Sequence, residues 1–363
     1  MPDITQQQVE TAIKDYIDPH LEKDLVSANV VKSIDIDGDK VTVTLIFGFP
    51  TQGYNQTVID ALKPKIEALD GVNEATINIA NKVISHAVQQ GVKALDGVKN
   101  IIAVASGKGG VGKSTTAVNL ALALAAEGAK VGILDADIYG PSQPRMLGSN
   151  QKPESKDGNS LEPVMAHGLQ SMSIGYLIDE ETPMIWRGPM VTQALEQLLR
   201  DTKWDALDYM IIDLPPGTGD TQLTLAQKIP VSGAVIVTTP QDIALLDARK
   251  GLKMFEKVNV PVLGVIENMS VHICSKCGHE EPIFGQGGGE RMAKESDVSL
   301  LGNLPLDINI RENVDGGNPT VVAEPEGRVA EMYRDIARRV AAKLSLQGKD
   351  YSTKFPTIKI ENK

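Results

Sequence analysis

One segment constrains this chain more than any other, and it reads Gly107, Lys108, Gly109, Gly110, Val111, Gly112, Lys113, Ser114, Thr115. It follows an apolar run at 101–105 and precedes a pattern that predicts a helix over 115–126. Glycines between a strand and a helix let successive backbone N–H groups point at phosphate oxygens, and the helix N-terminus adds its positive end. The sequence therefore predicts an ATP-binding phosphate loop at residues 107–115.

Three side chains of the phosphate loop have predicted roles. Lys113 is expected to reach the β- and γ-phosphates, and the Ser114 hydroxyl to complete a Mg²⁺ shell. Lys108 is an extra cation that such a loop does not require. Either it is a solvated surface lysine, or it reaches the phosphates of a facing second subunit and stabilises phosphoryl transfer, as an arginine finger does. The second interpretation predicts a dimer with ATP at its interface.

Two acidic motifs follow predicted strands and belong to the same site. Asp135 and Asp137 close the run at 131–134, and Asp213 closes the run at 209–212. Ligands of open α/β sheets bind at the carboxyl ends of the strands. We expect Asp213 to hold Mg²⁺ directly or through water, Asp135 to support the metal shell, and Asp137 to orient the attacking water.

From residue 101 onward, apolar runs alternate with amphipathic ones. Near-continuous apolar runs, buried on both faces, are typical of parallel strands. The predicted strands lie at 101–105, 131–134, 209–212, 234–238 and 262–266. The predicted helices lie at 115–126, 190–200, 221–228, 243–257, 287–295 and 326–344. The expected fold is α/β, with a doubly wound, mostly parallel sheet of the P-loop NTPase type.

A small α+β domain is expected ahead of that sheet, because 363 residues exceed one ordinary domain. Its first helix is predicted to carry Tyr16 and Ile17 on its apolar face and to end at Pro19. Asp37-Gly38-Asp39 predicts a hairpin. The expected division is a module at 1–82, a linker at 83–99, an ATPase domain at 100–345 and a polar tail at 346–363.

Composition excludes several classes of protein. The net charge of −11 argues against nucleic acid as a partner. No apolar stretch approaches the ~20 residues of a membrane span, and the first residues carry no secretory signal pattern. Two cysteines cannot build a disulfide framework in a chain of this length. We expect a cytoplasmic protein that acts without a membrane.

The two cysteines, Cys274 and Cys277, form a C-x-x-C motif. A tetrahedral Zn²⁺ site or a [4Fe–4S] cluster needs about four ligands, so one chain supplies half of them and a symmetric dimer would supply the rest. Soft thiolates suit iron–sulfur clusters or zinc. Two alternatives stay open: a mononuclear zinc site completed by His272 and His279, and a thiol-redox dithiol.

Combined motifs add a resemblance. The sequences GKGGVGKST at 107–115, DADIYGPS at 135–142 and IIDLPPGTGD at 211–220 together resemble the MinD/Mrp class of P-loop ATPases. The segments 267–270, 284–289 and 304–307, the last expected to end a strand, make the chain similar to the Mrp/ApbC family of iron–sulfur cluster carrier proteins over about residues 95–345. That resemblance implies a homodimeric ATPase whose C-x-x-C pairs hold an iron–sulfur cluster.

The same resemblance implies further partners and contacts. The cluster, expected to be [4Fe–4S], would come from a scaffold donor and pass to apo-proteins, and Asn268 would contact the adenine. The N-terminal module is similar to a small iron–sulfur assembly domain. Where that domain often has Gly-Cys-Pro, this chain has Gly53-Tyr54-Asn55. We therefore expect the module to serve in partner docking or regulation.

A second function stays open at this stage, a MinD- or ParA-like positioning ATPase acting on a membrane or DNA, or a regulatory ATPase whose C-x-x-C binds zinc or cycles as a thiol pair. The tail at 346–363 lacks an amphipathic membrane helix, and the negative charge disfavours DNA.

Overall fold

The N-terminal module is a three-stranded sheet that carries two helices. A computed structural model describes residues 4–89, 91–178, 188–274 and 276–348 of the chain. The module's elements are α1 (Gln6–Lys14), β1 (Ile17–Asp18), β2 (Lys23–Asp24), β3 (Val31–Asp37), β4 (Lys40–Phe47), α2 (Asn55–Glu67) and β5 (Glu74–Asn81). β3 and β4 pair antiparallel through the predicted hairpin, and β5 joins β4 in parallel. Alternate residues of β4 are buried, so one face of this sheet packs on the helices.

An eight-stranded sheet forms the centre of the molecule. Its strands are β6 (Val98–Ala105), β7 (Val131–Asp135), β8 (Val164–Ala166), β9 (Leu169–Ser173), β10 (Leu207–Asp213), β11 (Gly233–Thr238), β12 (Val262–Glu267) and β15 (Leu300–Asn303). Their spatial order is β15-β12-β11-β6-β10-β7-β9-β8, and every pair except β8–β9 is parallel. A two-stranded hairpin, β13 (His272–Ile273) with β14 (Glu280–Glu281), projects beyond β12. The fold class predicted from the sequence is confirmed.

Helices cover both faces of the central sheet. They are α3 (Lys113–Ala126), α4 (Gln143–Met146), α5 (Gly188–Asp201), α6 (Asp220–Lys228), α7 (Asp242–Lys257), α8 (Gly288–Glu295), α9 (Ile308–Asp315), α10 (Thr320–Ala323) and α11 (Arg328–Ser345). Residues of β6 alternate between two cores: Ile102 and Val104 join the core that contains α3 and α11, whereas Ile101 joins the core on the opposite face. Within the described ranges, none of the helices has the length and apolarity that crossing a bilayer requires.

The N-terminal module shares a core with the face of the sheet that α3 and α11 cover. Inside this interface, Arg338 of α11 forms an ion pair with Glu127, the residue after α3, with an Nη2–Oε1 distance of 2.6 Å. Glu127 is fully buried, and its second oxygen accepts the backbone N–H of Gly53 at 2.9 Å. A Cβ at Gly53 would lie 2.7 Å from that same carboxylate, so the loop and the ion pair approach closely because this residue is glycine.

Tyr54 is enclosed by this interface, with 4% of its surface exposed. Its hydroxyl lies 2.6 Å from the Tyr16 hydroxyl and donates to the buried carboxylate of Asp18 at 3.2 Å. The His20 ring packs edge-on against it, and the Arg338 guanidinium lies 5.7 Å from the ring centre. The position where related modules often carry cysteine is therefore a buried structural tyrosine in this chain.

Two secondary-structure predictions were wrong about where an element ends. Tyr16 and Ile17 lie outside the first helix, which ends at Lys14. The Asp18 carboxylate accepts the N–H groups of His20 and Leu21, each at 2.9 Å, which fixes a turn where the helix was expected to continue. The segment 304–307 follows β15 and does not end it.

The domain division stays a prediction, although β6 begins at Val98, inside the expected linker. The predicted tail lies mostly outside the described residues.

We predict that Arg338→Met lowers the free energy of unfolding by about 3–5 kcal/mol, because it leaves the Glu127 carboxylate buried without its cation. Urea denaturation of the full chain measures the change. Arg311→Met is the matched control: Arg311 pairs with Glu312 and Asp315 on the surface, so its loss should cost about 0–1 kcal/mol. Equal effects of the two substitutions would contradict the prediction.

Candidate active site

The phosphate loop connects β6 to α3 at the middle of the sheet. Its turn depends on Gly110 and Gly112, whose φ angles of 83° and 82° lie in the left-handed region that favours glycine. The Ser106 hydroxyl donates to the carbonyl of Lys108 at 2.9 Å and braces the loop from inside. Lys113 is the first residue of α3. The loop therefore places its last lysine at a helix N-terminus, where an anion is stabilised.

Lys108 lies on the outer rim of this loop. Its side chain is half-buried, and within the described part of the chain it has no carboxylate partner. Gly109 and Gly110 beside it are exposed, whereas Val111 is buried. The loop thus presents backbone and one cation outward, which suits contact with a ligand or a second molecule.

Gly107 is where the loop meets α7. A Cβ at this position would lie 2.1 Å from the backbone carbonyl carbon of Asp247, a distance that atoms do not adopt. The close approach of loop and helix therefore depends on the missing side chain.

Lys113 binds the Asp213 carboxylate in a buried ion pair. The ammonium group contacts Asp213 Oδ1 and also donates to Ser114 Oγ at 3.1 Å. Lys113 is 6% exposed and Asp213 is fully buried at the end of β10. The other oxygen of Asp213 accepts a hydrogen bond from Nε2 of Gln143 at 2.9 Å. The structure thus brings together three predicted residues and adds a fourth that the sequence did not single out.

Asp135 lies beside Asp213, because the two are register partners on β7 and β10. Its Oδ1 accepts the N–H of Asp137 at 3.1 Å. Its Oδ2 accepts the N–H groups of Ser142 and Gln143, each at 3.0 Å, and a further bond comes from the Ser173 hydroxyl. Burial, and then the neighbouring Asp213 carboxylate, raises the pKa of Asp135 above its usual range. Asp135 therefore anchors the segment 135–142, which we call the switch loop.

Asp137 projects from the switch loop next to Lys113. Partial burial is the main cause that raises the pKa of its carboxyl above the ordinary value, and the Lys113 ammonium opposes that shift. Its backbone carbonyl accepts Gly140 N–H at 3.2 Å, which closes a turn. The 214–219 loop approaches the same region, where Gly217 N–H donates to the Ser106 carbonyl at 2.9 Å. The 214–219 loop therefore borders the phosphate loop.

The oxygen atoms at this site fit Mg²⁺. Mg²⁺ prefers oxygen ligands, and Ser114 Oγ and the Asp213 carboxylate share one ammonium group and so lie close together. Two neighbouring side-chain oxygens, Oγ of Ser142 and Oε1 of Gln143, are buried and have no hydrogen-bond partner within the described ranges. Buried polar atoms normally find a partner. Ser114 and Asp213 are the residues that would hold the metal.

Asn268 follows directly after β12 and contacts the phosphate loop. Its Nδ2 donates to the Val111 carbonyl at 2.9 Å, and the missing Cβ of Gly112 leaves room for it. Glu267, the last residue of β12, accepts the N–H of Gly289 and so holds the start of α8. The predicted contact between Asn268 and adenine stays a prediction; the contact in the structure is with the loop.

The cysteines lie between β13 and β14, in what we call the cysteine hairpin (residues 272–281). Cys274 N–H donates to the His279 carbonyl at 2.9 Å, and Gly278 N–H donates back to the Cys274 carbonyl at 2.8 Å. Cys274 is half-buried and Cys277 is exposed. The backbone N–H groups of Lys276 and Cys277, and then the Cys277 thiol, lower the pKa of the Cys274 thiol. The hairpin therefore presents two thiols to the solvent, and the Cys274 thiol ionises more readily than a free cysteine.

The zinc site within one chain, which would need both flanking histidines, is not assembled. Within the described part of the chain, no group of three or more Cys, His, Asp or Glu side chains is placed to hold a metal. His272 instead lies with Nδ1 3.3 Å from the Leu306 carbonyl, and His279 is exposed. Among the described residues, the hairpin thus offers its two thiols without a further metal ligand beside them.

Comparison with known proteins gives the family. The family model described as "NUBPL iron-transfer P-loop NTPase" matches residues 97–341, and the model described as "Iron-sulfur cluster assembly protein" matches residues 6–79. The first of these covers more than half of the chain. The chain belongs to the NUBPL iron-transfer P-loop NTPase family. It is therefore a P-loop ATPase, as predicted from the phosphate loop, and the resemblance to the Mrp/ApbC carriers is confirmed.

Relatives of this family align over most of the chain. The iron-sulfur cluster carrier protein of Escherichia coli (strain K12) is 51% identical over 348 residues, which cover 96% of this chain and 94% of that protein. The iron-sulfur cluster transfer protein NUBPL of Mus musculus is 53% identical over 254 residues, 69% of this chain and 80% of that protein.

Solved structures match the ATPase part. The nucleotide-binding protein of Archaeoglobus fulgidus in complex with ADP matches with a TM-score of 0.57 and 38% identity. The match covers 66% of this chain and 93% of the Archaeoglobus chain. The cell division ATPase MinD of Pyrococcus furiosus has a TM-score of 0.50 at 22% identity, over 66% of this chain and 98% of its own, which shows the shared fold alone.

Sequence reasoning missed several residues of the site. Gln143, Ser142 and Ser173 complete the hydrogen bonds of the two buried aspartates. Ser142 is the last residue of the DADIYGPS motif at 135–142, although no role was predicted for it, and Gln143 follows that motif directly. This adjacency was the one available signal for Gln143. Ser173 gave none, because it reaches Asp135 across paired strands.

We predict that Gly107→Ala destabilises the protein by about 1–3 kcal/mol, because the new methyl group must displace the backbone of α7. Thermal unfolding of the full chain measures it. Gly109→Ala is the matched control for stability, since its Cβ would meet only Pro216 Cγ, at 3.9 Å. A Gly107→Ala protein as stable as Gly109→Ala would contradict the close approach.

Proposed function

We propose that this protein is an ATP-hydrolysing carrier that binds an iron–sulfur cluster as cargo between the C-x-x-C motifs of a homodimer and transfers it to apo-proteins. The observation that carries the proposal is the cysteine hairpin: two surface thiols on a P-loop ATPase whose sequence contains no other cysteine. A cluster needs about four thiolate ligands. Two hairpins facing each other across a two-fold axis supply that number.

Several observations support thiolate ligation at the hairpin. The lowered pKa of Cys274 favours the thiolate, which is the form that binds metal. Cys277 is exposed, so a partner's thiols can approach it. The relatives named above are iron–sulfur cluster carrier and transfer proteins. A [4Fe–4S] cluster matches four thiolates from two chains.

The nucleotide chemistry follows from the contacts around Asp213. Mg·ATP binds on residues 107–115, where backbone N–H groups and Lys113 neutralise phosphate charge. Ser114 and Asp213 would hold the metal, and Asp135 would support that shell by fixing the switch loop. Asp137, whose raised pKa reflects its burial beside the site, positions water for attack on the γ-phosphate. Lys108 of the partner chain stabilises the transferred phosphoryl group.

A short path joins the nucleotide to the cargo. Asn268 touches Val111 in the phosphate loop, and its own chain continues within four residues into β13. Two backbone hydrogen bonds hold the segment between Asn268 and β13. The Ser270 N–H donates to the Leu304 carbonyl at 3.0 Å, and the Leu306 N–H donates to the Val271 carbonyl at 2.8 Å. Changes at the phosphate loop therefore reach the cysteine hairpin through paired backbone, which allows nucleotide state to alter how firmly the cluster is held.

The carrier would work in the cytoplasm, where thiols remain reduced. It would receive its cluster from a scaffold donor and pass it to recipient apo-proteins. Neither a membrane nor nucleic acid has a part in this proposal.

We predict that Cys274→Ala and Cys277→Ala each abolish the broad visible absorbance that the wild-type chain acquires on anaerobic reconstitution with iron and sulfide, because each removes two of the four ligands from a dimer. Iron and sulfide content measured on the same samples quantifies the loss. His279→Ala is the control and should reconstitute normally. Zinc in place of iron and sulfide in protein purified without oxygen, or normal reconstitution of both cysteine variants, would overturn the carrier function.

We predict that Lys108→Ala lowers ATP turnover by ~10³-fold or more, as loss of a trans-acting cation does elsewhere. Asp137→Ala should also be inactive. A heterodimer of these two variants, co-expressed with different tags and purified by both, has one complete site of two and should recover about half of wild-type turnover. A heterodimer without activity would show that Lys108 does not act across the interface.

A further inference from the structure

Gln143 is the least expected member of the nucleotide site. It is the first residue of α4 and is 1% exposed. Its Nε2 donates to Asp213 Oδ2 at 2.9 Å and to the Ser114 carbonyl at 3.2 Å, while its backbone N–H donates to Asp135 Oδ2 at 3.0 Å. Gln143 thus connects the aspartate at the end of β10, the first turn of α3 and the aspartate that anchors the switch loop.

The amide group is held in one orientation by these contacts. Both hydrogens of Nε2 are used, one on Asp213 and one on Ser114, so the direction of Oε1 is fixed. Within the described ranges Oε1 is buried and has no hydrogen-bond partner. A fixed, buried acceptor beside a carboxylate and a helix N-terminus is suited to accept a hydrogen bond from a metal-bound water.

The charges around Asp213 show why this contact matters. Lys113 and Gln143 are the side chains that donate to the Asp213 carboxylate in the described part of the chain. In the proposed function Lys113 turns to the phosphates of ATP, and the inference rests on that role. Gln143 is then the contact that keeps Asp213 oriented: it occupies Oδ2, so that Oδ1, which Lys113 contacts in this structure, would be left to bind the metal.

We propose that Gln143 is a positioning residue for the Mg²⁺ of the ATPase site. It acts through Asp213, whose carboxylate it orients, and through Oε1, which accepts from a water of the metal shell. Because its backbone belongs to the anchor of the switch loop, it also makes metal binding depend on the position of that loop. Side chains that orient metal ligands in this way typically contribute 10–100-fold to metal affinity.

The test is a Mg²⁺ titration at a fixed concentration of a fluorescent ATP analogue, with full-length wild-type protein, Gln143→Met and Gln170→Met. Gln143→Met keeps the length of the side chain and removes its hydrogen bonds. We expect the half-saturating Mg²⁺ concentration to rise about tenfold, and analogue affinity in EDTA to stay within about twofold, since residues 107–115 are unchanged.

Gln170→Met is the matched control. Gln170 lies in β9, outside the nucleotide site. Its side-chain amide also makes two hydrogen bonds: it donates to the Asp205 carbonyl and accepts from the Asp205 N–H. Its Mg²⁺ titration should equal that of the wild type. If Gln143→Met is too unstable to purify, Gln143→Asn replaces it, because the shorter side chain withdraws the amide from Asp213 but keeps a polar group.

The outcomes separate three interpretations. Equal weakening of analogue binding in EDTA and in Mg²⁺, or an unchanged Mg²⁺ half-saturation, would show that Gln143 has a purely structural role and would overturn the inference. Wild-type binding that Mg²⁺ does not strengthen would instead contradict the proposed metal site, whatever Gln143→Met does. A selective shift of the Mg²⁺ titration supports both.

Discussion

Two buried carboxylates, Asp135 and Asp213, lie side by side at the carboxyl edge of the central sheet. The other groups of the nucleotide site compensate their negative charge. Parallel pairing of β7 and β10 makes their proximity unavoidable. Like charges without solvent are costly unless cations and hydrogen-bond donors surround them. Lys113 supplies the cation, and the N–H groups of the switch loop supply the donors. The loops that meet the phosphates are therefore ordered by the same groups that neutralise the aspartates.

A second buried ion pair fixes the opposite end of the same helix. α3 begins at Lys113 in the nucleotide site and is followed by Glu127, which binds Arg338 and the loop at Gly53. Fourteen helical residues span about 20 Å. The N-terminal module is thus joined to the helix that begins at Lys113 of the phosphate loop, and any displacement of α3 acts on both ends. This arrangement favours a regulatory role for the module and gives Tyr54 a structural role within the interface.

The sequence predicted what depends on local pattern. The periodicity of apolar residues, the apolar runs and the glycine spacing were enough to predict the parallel sheet, the phosphate loop and the acidic residues at the ends of β7 and β10. What it missed depends on contacts between distant segments. Gln143 meets Asp213 seventy residues later along the chain, and Glu127 meets Arg338 across 211 residues. The first helix was predicted too long because nothing in its apolar period shows that Asp18 caps a turn.

The same distinction applies to the cysteine hairpin. A C-x-x-C motif is visible in the sequence, but its meaning depends on which other ligands are within reach. Among the described residues, the structure brings neither flanking histidine into a metal site with the cysteines. The proposed cluster therefore takes its remaining ligands from a second chain. β13 and β14 are two residues each, and Arg328 at the start of α11 braces Glu280 through an ion pair of 2.7 Å. The thiols thus sit on a short element attached to the ATPase body at few points. In the function we propose, a cluster shared between two such elements would be released when they separate, and the nucleotide state of the dimer would control that separation.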